Sequence, residues 1–257
     1  MKKSVLVTGA ASGLGKAVTL MYVKKGYTVY ALDLDRKKLE ELPKEQIIPL
    51  VVDISKETQW QSIVLPAIEA HTKKLDIVIA CAAVMRLGNA EECSVETWQF
   101  VNDINLTAQF ITVKYTLPYL KKSKGNVLFI GSPSAKLAVR DEVCYVTFKH
   151  ALSGLSKSVA FDFGEDGVRS NVVHPGWMRT AMSDLEMQEI MDRDQISLEE
   201  AYQKVTRFVP LKRPGSLEEI GDAIDYLTSD KASYITGAEL MVDGGLTIVD
   251  PGMIGFL

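Results

Sequence analysis

Three cysteines and three histidines are few for 257 residues, and neither type clusters. Cys81, Cys93 and Cys144 are odd in number and form no C-x-x-C pair, so they read as free thiols of a reducing compartment and point to a cytoplasmic protein. His71, His150 and His174 are scattered and show no metal-ligand spacing, so no metal is expected. Long apolar runs are missing too. The longest is the nine residues from Ile77 to Met85, whereas a membrane span needs roughly 20. After Lys2 and Lys3 only three apolar residues precede Thr8-Gly9, too short for a signal-peptide core, and no membrane partner is expected. Basic charge is not in excess: 29 Lys and Arg stand against 33 Asp and Glu, a net charge of −4. Without a basic stripe to neutralise phosphates, a nucleic-acid partner is not expected either. No linker, repeat or low-complexity stretch divides the chain, which reads as a single domain over 1–257.

What is present is a rhythm. Apolar runs at Val5-Leu6-Val7, Thr28 to Leu32, Ile47 to Val52, Ile77 to Ala80, Val127 to Ile130, Val172-Val173 and Leu240 to Val242 suit strands covered on both faces. Amphipathic stretches lie between them: Leu14 to Lys25, Lys56 to His71, Ser94 to Lys121, Tyr145 to Phe163 and Leu217 to Leu227. This alternation predicts an α/β fold, a Rossmann-type doubly wound parallel sheet with helices on both faces. One segment breaks the rhythm. Residues 183–208 are charged, Met-rich and helical in period, with no strand, and read as an inserted helical pair that serves as a substrate lid.

The first predicted strand runs into Thr8-Gly9-Ala10-Ala11-Ser12-Gly13-Leu14-Gly15, where a helix opens. Such a loop lets backbone N–H groups approach a pyrophosphate at a helix N-terminus, although a tight turn alone would also account for the glycines. Asp33 ends the second predicted strand. An acid there accepts hydrogen bonds from both adenosine ribose hydroxyls and repels a 2′-phosphate, which favours NAD over NADP; Arg36 nearby pulls the other way. Asp33 is also placed to cap the next helix. Asp53, after strand three, faces the same choice between an adenine contact and a helix cap.

Tyr145 and Lys149 are four residues apart and share one helix face. Ser132 lies thirteen residues before Tyr145, just past a strand, at the edge where open α/β sheets bind ligands.

With these residues in place the sequence resembles a short-chain dehydrogenase/reductase. TGAASGLG resembles that family's TGxxxGxG and YVTFK its YxxxK. Ser132 stands at its serine spacing and Asn105 at the asparagine of its long central helix. Pro175-Gly176-Trp177-Met178-Arg179-Thr180 is similar to its PGxxxT segment, and Tyr234-Ile235-Thr236-Gly237 with Val242-Asp243-Gly244-Gly245 to its C-terminal end. The resemblance implies hydride transfer between NAD(H) and a secondary alcohol or ketone. It implies Tyr145 as general acid/base, Lys149 lowering the phenol's pKa and binding the nicotinamide ribose, Ser132 orienting the substrate oxygen, and Asn105 holding a water of the proton path. It assigns the cofactor to Gly9, Ser12, Gly13, Leu14 and Gly15, to Asp33 and Leu34, to Asp53 and Ile54, to Cys81 and Ala82, to Tyr145 and Lys149, and to Pro175, Gly176, Met178 and Thr180. It also implies a homotetramer or homodimer built on the helices through Asn105 and Tyr145.

The chain departs from the pattern at Ala80-Cys81-Ala82-Ala83, where the family carries Asn-Asn-Ala-Gly. Weaker bracing of the central sheet is the expected cost. Two other readings stay open: an NAD-binding regulatory protein without turnover, and an epimerase or dehydratase with tightly held NAD. The expected pocket walls are Val84, Met85, Arg86, Pro133, Ser134, Ala135, Val139, Arg140 and Trp177. They suit an apolar or cyclic alcohol, unless Arg86, Arg140 or Arg179 anchors a carboxylate.

Overall fold

Each predicted apolar run forms a strand, and the period of two along each strand divides the core in two. The computed structural model describes residues 2–250 and Gly252. The ends of the predicted domain, Met1, Pro251 and 253–257, lie outside the described residues. Strands β1 (Ser4–Thr8), β2 (Thr28–Asp33), β3 (Ile47–Val51), β4 (Ile77–Ala80), β5 (Asn126–Ile130), β6 (Arg169–Pro175) and β7 (Glu239–Val242) make one sheet, in the order β3-β2-β1-β4-β5-β6-β7. Every pairing is parallel. Leu6 pairs with Tyr30 on one side and Val78 on the other, and all three point to the face that also carries Val127 and Phe129. Their neighbours Val5, Val7, Val29, Ala31, Ile77 and Ile79 point to the opposite face. A strand buried on both sides has no polar position to spare, which is why these runs are continuously apolar.

Helices cover both faces. Trp60, Val64 and Ile68 of residues 57–71, Ala108, Ile111 and Leu120 of residues 95–123, and Leu152 and Val159 of Val143–Phe163 pack on the first face. Leu14, Val18 and Tyr22 of Gly13–Lys24 and Ile220, Ile224 and Leu227 of Leu217–Thr228 pack on the second. Strand order reverses between β1 and β4, so a crevice opens beyond their carboxyl ends.

Three local features differ from the sequence expectation. A short helix, Arg36–Glu40, follows β2, capped by Asp35 and not by Asp33. The helix over 57–71 contains a π-turn, Trp60–Val64. Pro66 has no N–H for the Ser62 carbonyl, and Leu65 bonds back to Trp60 instead. A second π-turn, Asp103–Thr107, interrupts the long helix at Asn105. The 183–208 segment contains two helices, Ala181–Asp194 and Leu198–Thr206, joined through Met187, Ala201 and Tyr202. No helix among the described residues is long and apolar enough to cross a membrane.

Candidate active site

The crevice at the strand reversal is a cavity of about 800 Å³. At one end it meets the N-terminus of helix Gly13–Lys24. Ser12 precedes this helix with an extended backbone, its side chain caps nothing, and no acid occupies the first turn. The free N–H groups and the dipole's positive end therefore face the cavity, as an anion requires. Gly15 allows the loop to close on the helix: a Cβ there would stand 2.0 Å from the Gly9 carbonyl oxygen. Asp33 ties this loop to β2. One carboxylate oxygen accepts the Ala11 N–H at 2.9 Å and the other the Asp35 N–H at 3.0 Å. Lone pairs remain on both oxygens for ribose hydroxyls. Arg36 is turned to Glu40 and does not line the cavity. Asp53 lines the cavity while its Oδ1 accepts from the Ser55 N–H and hydroxyl, so it closes its own turn at the cavity wall. Uncapped N–H groups, a close-approach loop and a ribose-ready acid form a donor and acceptor set that fits a dinucleotide.

In the middle of the cavity Ser132, Tyr145 and Lys149 come together. The Ser132 hydroxyl oxygen accepts from the Ser134 N–H at 3.2 Å, and the hydroxyl favours the ionised form of the Tyr145 phenol. Lys149 is buried and donates to the Ile130 carbonyl oxygen at 2.8 Å. Burial depresses its pKa to about 8. The phenol was expected to be lowered by Lys149. Burial pushes it up instead, the neighbouring Ser132 hydroxyl pulls it down, and Glu186 and Glu142 add to the rise. The Lys149 ammonium lies 5.4 Å from the centre of the tyrosine ring.

Asn105 does not line the cavity. Its amide spans the Val84 backbone, accepting from the N–H and donating to the carbonyl, each at 2.8 Å. It thus fixes the loop after β4. The central sheet was expected to be more weakly braced beside it. The Thr8 hydroxyl oxygen accepts both the Cys81 and the Ala82 N–H, at 3.0 and 3.1 Å, and Gln109 donates to the Ala82 carbonyl at 2.7 Å. Thr8, Gln109 and Asn105 thus hold the backbone of this loop from neighbouring elements.

Behind Ser132 lies a layer that the sequence did not disclose. His174, on β6, is fully buried. Its Nδ1 is 2.9 Å from the Ser132 carbonyl oxygen and 3.1 Å from the Ser132 amide nitrogen, and its Nε2 is 3.1 Å from the Glu239 carboxylate. The ring therefore ties the Ser132 backbone to Glu239. Glu239 also accepts from Ser153, Lys136 and Lys157. Burial raises its pKa, but these donors prevail and hold it far below the ordinary carboxylate range. Gly131 makes room for the imidazole, since a Cβ there would lie 2.3 Å from Nδ1.

Every residue assigned to the cofactor from sequence lines the cavity. Of the expected pocket walls, Val84, Met85, Pro133, Ser134, Val139 and Trp177 do; Ala135, Arg86 and Arg140 do not. Arg86 stacks over Phe100 and donates to the Met85 carbonyl, and Arg179 pairs with Glu199 above the Tyr202 ring. No arginine lines the cavity among the described residues. Glu142, Phe100 and Asp103 do line it and were not anticipated, and Glu186 enters it from the expected lid. Cys144 is buried, with its pKa raised to about 11, as a structural thiol should be.

Comparison with known proteins agrees with this geometry. The family model described as Enoyl-(Acyl carrier protein) reductase matches residues 9–247. Protein MoaE of Klebsiella aerogenes is 50% identical over 155 residues, 60% of this chain and 60% of that protein's length. Aldohexose dehydrogenase (AldT) of Thermoplasma acidophilum, solved in ligand-free form, superposes with a TM-score of 0.90 at 29% identity, covering 97% of this chain and 96% of the other. A 4-hydroxyisoleucine dehydrogenase complexed with NADH superposes with a TM-score of 0.87 at 27% identity, covering 97% of this chain and all of the other, 100%. With its phosphate-binding turn, its Ser-Tyr-Lys cluster and a family match over nearly its whole length, the chain belongs to the short-chain dehydrogenase/reductase family of oxidoreductases.

Proposed function

We propose that the protein is an NAD-dependent dehydrogenase or ketoreductase that moves a hydride between the nicotinamide and a secondary alcohol or ketone. The convergence of Ser132, Tyr145 and Lys149 at the middle of a dinucleotide-sized cavity carries this reading. The cofactor, when bound, supplies the hydride chemistry. In oxidation the alcohol's hydroxyl proton passes to Tyr145 while its carbinol hydrogen leaves with the electron pair; reduction reverses both transfers. Ser132 donates to the substrate oxygen and holds it against the phenol. Lys149 binds the nicotinamide ribose and passes the proton on towards solvent, with the π-turned backbone at Asn105 holding a water on that path. Met178 and Thr180, which line the cavity, would hold the carboxamide of a bound nicotinamide.

Asp33 supports NAD as the cofactor, since its carboxylate would repel a 2′-phosphate that no cavity-facing arginine compensates. The helices Ala181–Asp194 and Leu198–Thr206 serve as the lid: Met182, Ser183 and Glu186 already line the cavity. Three free cysteines support a cytoplasmic location. A homotetramer is supported by Phe110 and Phe161, 51% and 88% exposed on the two long helices, and by the open space over Gly154.

A panel of secondary alcohols and ketones, run with NAD and NADP in parallel and followed by nicotinamide absorbance, tests the reading. Turnover with NAD is expected, reduced at least about 1,000-fold in Tyr145→Phe, while nicotinamide binding followed by fluorescence persists. Asp33→Ala should weaken NAD and narrow its advantage over NADP. A Tyr145→Phe enzyme with more than a few per cent of the wild-type rate would remove the assigned acid/base. Cofactor retained through purification with no net NADH would favour the epimerase or dehydratase reading.

A further inference from the structure

Cys93 and Cys144 are 51 residues apart in the chain, yet their sulfurs stand 3.2 Å apart in space. Both are free thiols. Their contact lies in a small apolar cluster, where Cys144 packs with Val101 and Phe148 under Val84, Cys93 and Leu106. Cys144 is the residue before Tyr145, in the first turn of helix Val143–Phe163, and is buried. Cys93 is half-buried, between the exposed residues Glu92 and Ser94.

The backbone around the pair holds it in register. The loop after β4 runs beside the segment that leads into the Tyr145 helix. The Gly88 N–H donates to the Asp141 carbonyl at 2.6 Å, and the Val143 N–H to the Gly88 carbonyl at 3.3 Å. The Cys93 N–H donates to the Asn89 carbonyl at 2.9 Å, and the Asn89 amide donates to the Asp141 carboxylate at 3.4 Å. Disulfide sulfurs are about 2.0 Å apart, so closure asks for little more than about 1 Å of approach. Neither cysteine lines the cavity, and the proposed reaction uses neither.

We propose that Cys93 and Cys144 are a redox modification site, at which hydrogen peroxide converts the two thiols into a disulfide that ties the loop after β4 to the Tyr145 helix. Cys93 meets the oxidant, since it is the more exposed of the two. Its thiolate sulfur attacks one peroxide oxygen, the O–O bond breaks, and hydroxide leaves to take up the thiol's proton as water; Cys93 is now a sulfenic acid. The Cys144 sulfur attacks the Cys93 sulfur, the S–O bond breaks, and the oxygen departs as water with the Cys144 proton. Two thiols and one peroxide thus give one disulfide and two waters. Burial holds Cys144 as the thiol, with its pKa at about 11, so it is inert towards the oxidant and acts only on the sulfenic acid in contact with it. Val84 belongs both to this cluster and to the cavity wall, and Tyr145 follows Cys144 directly, so the bond is felt where the chemistry occurs. Turnover should fall at least about 10-fold on oxidation, because a displacement of about 1 Å at reacting groups costs up to about 100-fold; this consequence rests on the dehydrogenase reading.

The test treats reduced protein with hydrogen peroxide, then with dithiothreitol. Thiols are titrated after denaturation, peptides are mapped by mass spectrometry, and melts and alcohol turnover are run at each stage. Oxidation should consume two of the three thiols, yield a cross-linked Cys93–Cys144 peptide and raise Tm by about 4–10 °C, and dithiothreitol should reverse all of it. Cys93→Ser should match the wild type before treatment and keep its remaining thiols and its rate afterwards. Survival of all three thiols, a Cys93 sulfinic acid in place of the cross-link, or a cross-linked protein that melts and turns over as the reduced one does would overturn the proposal. If the reduced protein turns over an alcohol and no cross-link forms, the redox site falls and the dehydrogenase stands. If the cross-link forms and shifts Tm reversibly while no alcohol turns over at any stage, the redox site stands and the dehydrogenase reading falls.

Discussion

Tyr145 is the residue on which the chemistry turns, and its surroundings set a sign. Burial and the nearby Glu186 and Glu142 favour the neutral phenol, against the single pull of Ser132. In the proposed reaction the group is therefore a proton donor at neutral pH, ready for ketone reduction. Oxidation would need the phenolate, which the buried Lys149 and a bound, positively charged nicotinamide would make accessible. Initial rates should rise with pH for alcohol oxidation and fall with pH for ketone reduction, and pH profiles of kcat/KM in both directions will check the opposite slopes. Most residues of this scale were legible in the sequence, because Tyr145, Lys149 and Ser132 carry their chemistry in spacing alone. Glu142 was not. It sits in the non-periodic stretch before Tyr145, and only the return of that stretch over the end of β5 buries it.

At the scale of elements, β5, β6 and β7 act together on the Ser132 backbone. Ser132 follows β5, His174 lies on β6 and Glu239 on β7, so the placement of Ser132 depends on strand spacing across the sheet. Gly131→Ala should push the imidazole away from Ser132. Overpacking of this kind costs about 1–3 kcal/mol, or roughly 3–10 °C in Tm, and misplacement of Ser132 should lower kcat by about 100-fold with smaller change in cofactor affinity. Thermal melts and steady-state kinetics on the same preparation will separate the two effects. The strands themselves were legible because a double-sided core leaves them uniformly apolar. The helix Arg36–Glu40 was not, since a single turn offers too little periodicity, and the π-turns at Trp60 and Asn105 were hidden because one extra residue per turn barely disturbs a helical pattern. The bracing by Thr8 and Gln109 escaped for a different reason: it uses backbone groups that any residue at 81 and 82 would supply.

For the whole molecule, the long helices through Asn105 and Tyr145 leave large apolar side chains in water. Phe161 is 88% exposed and Phe110 51%. Isolated exposed phenylalanines are ordinary, but two on the two long helices are what the proposed tetramer would cover. Wild-type protein should scatter light as four chains at micromolar concentration, and Phe161→Asp should reduce that to two or one. A wild-type monomer in the same measurement would dismiss the assembly.

The two glutamates of the cavity wall, Glu142 and Glu186, have a consequence for pH. Burial raises both carboxyls, Glu186 to about 7, so the folded chain holds protons there that the unfolded chain has already released. The stability they contribute is full below the ordinary glutamate range and is lost as pH climbs through about 7, so this wall is most secure on the acid side of neutral.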